Sequence, residues 1–192
     1  MLESLEYIDR SLLLAINGAN SSLLDVIFWQ ISEGWVLLPL WIFLIWYLVK
    51  QKGVKFLLIA LLCSAFVILF CDQSANIVKH SVERYRPTHN LEIKEQIHIV
   101  NDYRGGQFGF FSSHAANATG VAVFLFLVLA SIGARQRCFI FLWPLIVGYS
   151  RIYLGVHYPA DILMGMLDGL LWGLIFFKVF QYLSKKLNAE AV

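Results

Sequence analysis

Charge is scarce in this 192-residue chain: Asp, Glu, Lys and Arg make up 15% of it, against roughly 25% in an ordinary soluble protein. With 59% hydrophobic residues, that shortage excludes a soluble globular domain and points to an integral membrane protein. A net charge of +2, without a basic aromatic stripe, excludes nucleic acid as a partner. The acidic start, Met1 to Glu6, lacks the positive region and apolar core of a signal peptide, so internal spans must drive insertion. Three cysteines, Cys63, Cys71 and Cys138, are too few and too scattered for a disulfide framework or a zinc site. None is followed six residues later by arginine, which excludes a thiolate phosphatase loop, and all three are expected to be small buried apolar residues. Carboxylates cluster nowhere, which disfavours Mg²⁺ or paired-metal chemistry; no metal and no cofactor is expected.

What the chain does have is apolar runs, at about Trp35–Val49, Phe56–Val78, Ala115–Ile132, Cys138–Tyr153 and Ala160–Leu183. Several are short for a bilayer, which takes about 17–25 residues, and gain length from polar helix ends. Ahead of them, Leu5, Ile8, Leu12 and Ile16 recur at helical spacing, while Glu3, Glu6, Asp9 and Arg10 fall elsewhere on the wheel. That predicts an amphipathic helix on the membrane surface, broken at Asn17-Gly18 and followed by a second short helix from Ser22 to Ile31. The expected fold is therefore all-α: one polytopic bundle over residues 1–192. It has five core transmembrane helices, or six if the interfacial segment 1–32 crosses. Lys50, Lys52 and Lys55, then Arg135 and Arg137, then Lys185 and Lys186 all fall on one side, which the positive-inside rule assigns to the cytoplasm together with the C-terminus.

The opposite side collects three unusual clusters. Lys79 and Arg86 are seven apart, two helical turns, so one face is predicted to present both cations to an anion. A basic run on the non-cytoplasmic side is misplaced unless it serves a function. Ser112, Ser113 and His114 open the third run, where serine caps a helix and free N–H groups form an anion site. Arg151, His157 and Asp161 lie between two greasy stretches. His157 and Asp161 are four apart, the spacing of one helical face, and a carboxylate on one imidazole nitrogen frees the other as base or nucleophile. A buried structural pair is the plain alternative. Gathered together, three cations, a helix N-terminus, two histidines and a carboxylate suit phosphoryl transfer through a phosphohistidine.

These residues resemble the type 2 phosphatidic acid phosphatase family, which includes vanadium haloperoxidases and carries the motifs Lys-x6-Arg-Pro, Pro-Ser-Gly-His and Ser-Arg-x5-His-x3-Asp. Here stand Lys79-x6-Arg86-Pro87, then Ser112-Ser113-His114, then Ser150-Arg151-x5-His157-x3-Asp161, in the family's order and across residues 79–161. The second motif departs: Phe111 replaces proline and Ser113 replaces glycine. The resemblance implies that His157 is the nucleophile, Asp161 its orienting partner and His114 the general acid. Lys79, Arg86, Ser112, the Ser113 backbone N–H and Arg151 would bind phosphate. It further implies a metal-independent, vanadate-sensitive hydrolase in a bacterial inner (plasma) membrane, acting on a lipid phosphate from the periplasmic or extracellular face. Undecaprenyl diphosphate and phosphatidylglycerophosphate lead as substrates. Lipid A phosphatase, lipid phosphotransferase and non-catalytic lipid-phosphate binding or transport remain as alternatives.

Several other residues bear on the site. Arg84, His80, Glu83 and Asn117 stand near the motifs as supporting contacts; His89 and His98 read as solvated loop residues. The segment Asn101 to Gly106 is expected to form a lid. Asp168 is expected to be hydrogen-bonded inside the bundle. Gly165, Gly169 and Gly173 predict close helix packing, within one chain or between two, and leave the oligomeric state open.

Overall fold

A computed structural model of the chain describes residues 2–189; Met1, the Glu3 side chain and residues 190–192, where the tail assigned to the cytoplasm ends, lie outside the described residues. The helices are α1 (Leu2–Gly18), α2 (Ser22–Glu33), α3 (Leu38–Lys52), α4 (Val54–Val82), α5 (Ser113–Val128), α6 (Ala134–Arg137), α7 (Leu142–Tyr153) and α8 (Pro159–Ala189). Among the described residues the sole strand-like pairing is an antiparallel bridge between Tyr85 and Phe108.

Three segments are long and apolar enough to cross a membrane: Ser22–Lys52, Val54–Val82 and Pro159–Lys186. The first runs across residue 32, the expected end of the interfacial segment. Gly34, at φ +80°, and the tight turn Trp35–Leu37 join α2 to α3, which makes the second short helix part of a stretch long and apolar enough to cross. Ser21 caps α2 by accepting from the Leu24 N–H at 3.3 Å. The Cys138–Tyr153 run also divides, into a 3₁₀ turn (Cys138–Phe141) and α7. Large aliphatic side chains such as Leu58, Leu62, Leu163 and Leu167 point outward, as a lipid-facing surface requires. Trp35 and Trp46 are exposed as well, whereas Trp41 packs edge-on against Trp143 at 5.1 Å.

The amphipathic reading of α1 holds for one face. Leu5, Ile8 and Leu12 are exposed, but the other face docks on protein: Leu13, Asp9 and Asn17 are buried against the loop after α4 and the facing ends of α7 and α8. Asn17 donates to the carbonyls of His98 (2.9 Å) and Tyr153 (2.7 Å), tying three parts of the chain together.

Packing centres on α5, which is sheathed by α4, α7 and α8. Its small residues Ala115, Ala116, Ala118, Gly120 and Ala122 are buried, and the glycine stripe of α8 lies against it. A Cβ on Gly165, Gly169 or Gly173 would stand 2.5, 2.2 or 2.6 Å from the carbonyl oxygens of Ser112, Ala116 and Gly120. The stripe therefore serves a contact within the chain. Without a hydrophobic driving force between helices in lipid, such close backbone approach is how spans adhere. Cys63 and Cys71 are buried as expected; Cys138 is exposed, because it sits in the turn beyond Arg137 and not in a span. Asp168 accepts from the Ser74 hydroxyl at 2.9 Å, the bundle hydrogen bond expected of it.

Candidate active site

The C-terminal end of α4 and the N-terminal ends of α5 and α8 converge at one end of the bundle, and all three motifs meet there. Lys79 lies in the last turn of α4, which stops because Glu83 adopts the left-handed conformation (φ +52°) and returns its N–H to the Lys79 carbonyl. This corrects the expectation that Lys79 and Arg86 share a helical face. Pro87 biases its predecessor away from the helix, and Arg86 is extended (φ −62°, ψ 155°). Two backbone hydrogen bonds clamp that extended stretch to the end of the loop, Arg86 N–H to Gln107 O and Gly109 N–H to Arg84 O. Lys79 reaches the site from behind, donating to the Ser113 hydroxyl at 2.5 Å.

His157 and Asp161 meet as the sequence predicts, but not along a helix. Pro159 opens α8, His157 precedes it, and the two side chains join across the helix start, Nδ1 to Oδ2 at 3.3 Å. The same carboxylate oxygen accepts the Tyr158 N–H at 3.0 Å, as the third residue of a helix does in a capping box. Arg86 Nη1 lies 3.1 Å from His157 Nε2. Arginine has no acceptor, so Nε2 must offer a lone pair and the proton must sit on Nδ1, toward Asp161. That tautomer leaves Nε2 nucleophilic. Burial, then the charges of Arg86, Arg151 and Lys79, hold the imidazole well below the usual histidine pKa, so it stays neutral.

The second motif divides its labour differently from expectation. Ser112 is fully buried and caps α5 through the Ala115 N–H at 3.4 Å, and its own N–H donates to the Asp161 carbonyl at 3.0 Å. Ser113, beside Lys79, is half-buried and lines the cavity instead. Arg86, Arg151, His157, Ser113 and His114 line one end of a cavity of about 800 Å³. From there the cavity runs between α3, α4, α5 and α7 over Trp41, Leu44, Leu57, Leu61, Val121 and Trp143, an apolar passage. His114 is exposed into this space. Lys79, Ser112 and Asp161 stand directly behind the lining.

Other residues complete the site, and sequence reasoning missed or underrated them. Arg84 bridges Asp161 (2.8 Å) and Asp9 (2.6 Å) and stacks over the Tyr158 ring at 4.0 Å. Asp9 also accepts the Ala160 N–H at 2.8 Å, so α1 braces the start of α8. Arg151 is held by the Ser32 hydroxyl and by Tyr103 Oη at 2.9 Å. The segment read as a lid passes over the cations: a Cβ on Gly105 (φ +68°) would meet Arg86 Nη1 at 2.8 Å. His98 is not a free loop residue, for it joins Asp25 at 3.0 Å; His89 is partly buried against Thr88 at 3.1 Å. No spacing rule in the sequence links Asp9 to Arg84. In the sequence Asp9 is one of several charged residues on an amphipathic helix, beside Glu6 and Arg10, and nothing there sets it apart.

Residues 56–185 match the family model of the PAP2 superfamily. The chain is 34% identical to a lipid A 4'-phosphatase of Bacteroides thetaiotaomicron over 99% of its own length and 84% of the relative's. A lipid A 4'-phosphatase of Porphyromonas gingivalis is 32% identical over 94% and 76% of the two chains. Among solved structures, Aquifex aeolicus LpxE superposes with a TM-score of 0.57 and 30% identity, covering 88% of this chain and 93% of that one. A PAP2 type phosphatidylglycerolphosphate phosphatase from Bacillus subtilis gives a TM-score of 0.66 at 21% identity, covering 95% and 87%, a likeness of fold.

Proposed function

The chain belongs to the PAP2 superfamily as a membrane lipid phosphatase, and on that premise we propose that its substrate is the 4'-phosphate of lipid A. This replaces undecaprenyl diphosphate and phosphatidylglycerophosphate as leading substrates: the relatives that match nearly the whole chain carry the lipid A activity in their names, whereas the likeness to the phosphatidylglycerolphosphate phosphatase is one of fold. The observation that carries the reading is His157, oriented by Asp161 and ringed by cations, at the head of a cavity that continues into a largely apolar passage.

The mechanism follows from that geometry. Arg86, Arg151, Lys79 and the Ser113 hydroxyl receive the non-bridging oxygens, and the phosphate displaces Arg86 from His157 Nε2. Nε2 attacks phosphorus, the bond from phosphorus to the sugar oxygen breaks, and His114, which takes up a proton when the phosphate dianion binds beside it, gives that proton to the oxygen. Asp161 stabilises the positive charge that develops on His157. Water then attacks the phosphohistidine, with His114 taking up its proton, and inorganic phosphate and free Nε2 are restored. No step uses a metal. The charge pattern supports a site on the periplasmic face, because Lys50, Lys52, Arg135, Arg137 and Lys185 lie at the other end of the bundle.

Purified protein incubated with bis-phosphorylated lipid A in EDTA should release phosphate, and mass spectrometry of the product should map the loss to the 4' position. Release from the 1 position would move the assignment along the same lipid. Turnover confined to undecaprenyl diphosphate or phosphatidylglycerophosphate would overturn it, and activity surviving in His157→Ala would remove the phosphohistidine.

A further inference from the structure

Asp72 is an ionisable residue within the α4 span, and the phosphate chemistry does not use it. It lines the cavity and accepts from Asn117 Nδ2 at 2.9 Å, and Asn117 lines the same cavity from α5. Carboxylates inside spans are costly and persist where a ligand or a pathway needs them. Their heights are set by the helices. Asp72 lies seven residues before Lys79, about 10 Å along α4 at about 1.5 Å per residue. Asn117 lies three residues past His114, a little under one turn deeper along α5. The pair therefore sits between the phosphate-binding cations and the apolar passage, at the depth of whatever joins the phosphate to the acyl chains.

We infer that Asp72 and Asn117 form a headgroup subsite that selects phospholipids bearing hydroxyl or amide N–H donors next to the phosphate, and disfavours polyprenyl phosphates, which have none. The inference rests on the phosphatase reading of the site and deepens it. A carboxylate accepts hydrogen bonds and donates none when ionised, so it recognises donors specifically. Asn117 uses one of its N–H groups to hold Asp72, which leaves the second free for an acceptor on the same headgroup. An acylated amino sugar presents both kinds of group beside its phosphate. A polyprenyl chain would instead lay bare hydrocarbon against Asp72 and strip its solvation without return. Neither Lys79 nor Arg86 bonds the carboxylate; Lys79 bonds Ser113 and Arg86 bonds Phe108, Val156 and His157.

The test compares kcat/KM for lipid A, for undecaprenyl phosphate and for p-nitrophenyl phosphate, which is too short to reach the subsite, in wild type, Asp72→Asn, Asp72→Leu and Asn117→Ala. The ratio of lipid A to p-nitrophenyl phosphate should fall by about ten- to a hundred-fold in Asp72→Leu, the scale of a hydrogen bond to a charged group. Asn117→Ala should lose less, and the ratio of undecaprenyl phosphate to p-nitrophenyl phosphate should rise in Asp72→Leu. Equal losses on all three substrates would overturn the proposal by showing a role in folding or chemistry, and so would unchanged ratios. If wild type ignores lipid A but cleaves another donor-bearing phospholipid with the same Asp72 dependence, the lipid A assignment fails and the subsite stands.

Discussion

Asp161, the proposed orienting partner of His157, has little freedom. Asp161 is wholly buried and receives His157, the Tyr158 N–H and Arg84, while Arg84 is itself held by Asp9. Removing one partner of a buried charge costs more than the pair contributes, so Arg84→Ala should lower kcat by roughly ten- to a hundred-fold with KM little changed. Arg84→Lys should restore part of the loss, and Asp9→Asn should show a smaller fall of the same kind; a change confined to KM would argue that Arg84 binds substrate instead. The pH dependence follows from His157. Its folded pKa is depressed, so the protonated, non-nucleophilic form appears only at low pH, and the enzyme's own acid limb in kcat/KM should lie below the usual histidine value. Arg86 is one cause of that depression, so in Arg86→Gln the residual activity should fail at a higher pH than in wild type. A limb that moves downward instead would contradict the assigned tautomer.

At the scale of elements, the α5–α8 contact sets the site, because it fixes the Ser112 N–H against the Asp161 carbonyl. Gly169→Ala places a methyl 2.2 Å from a backbone oxygen of a neighbouring span. Over-packing of that kind costs about 1–3 kcal/mol and should appear as a lower thermal midpoint in detergent. Gly18→Ala, which meets nothing within 4 Å, is the control and should leave the midpoint in place. Helices of this type were legible in the sequence because apolar runs, capping serines and a helix-opening proline are local signals. The Lys79–Arg86 face was misread for the same reason: helical spacing carries no notice of a left-handed Glu83, whereas Arg-Pro does mark an extended stretch. The docking of α1 was not legible at all. A hydrophobic wheel says which side meets lipid, and it is silent on what the polar side meets.

For the whole molecule, charge and shape give one polarity. The cavity joins the end that holds the three motifs to an apolar passage walled by α3. If that end faces the periplasm, exposed Cys138 lies in the cytoplasm while Cys63 and Cys71 are buried. A membrane-impermeant maleimide should then leave intact cells unlabelled and modify Cys138 once the inner membrane is opened; labelling of intact cells would invert the topology. The brace from Asp9 through Arg84 to Asp161 carries one more consequence, for how the enzyme is made. Asp9 is synthesised ahead of the described spans and Asp161 opens α8, so the brace closes only once α8 has begun to emerge. Until then the proposed nucleophile lacks its orienting carboxylate, so chains arrested before α8 is complete should release no phosphate from the lipids around them.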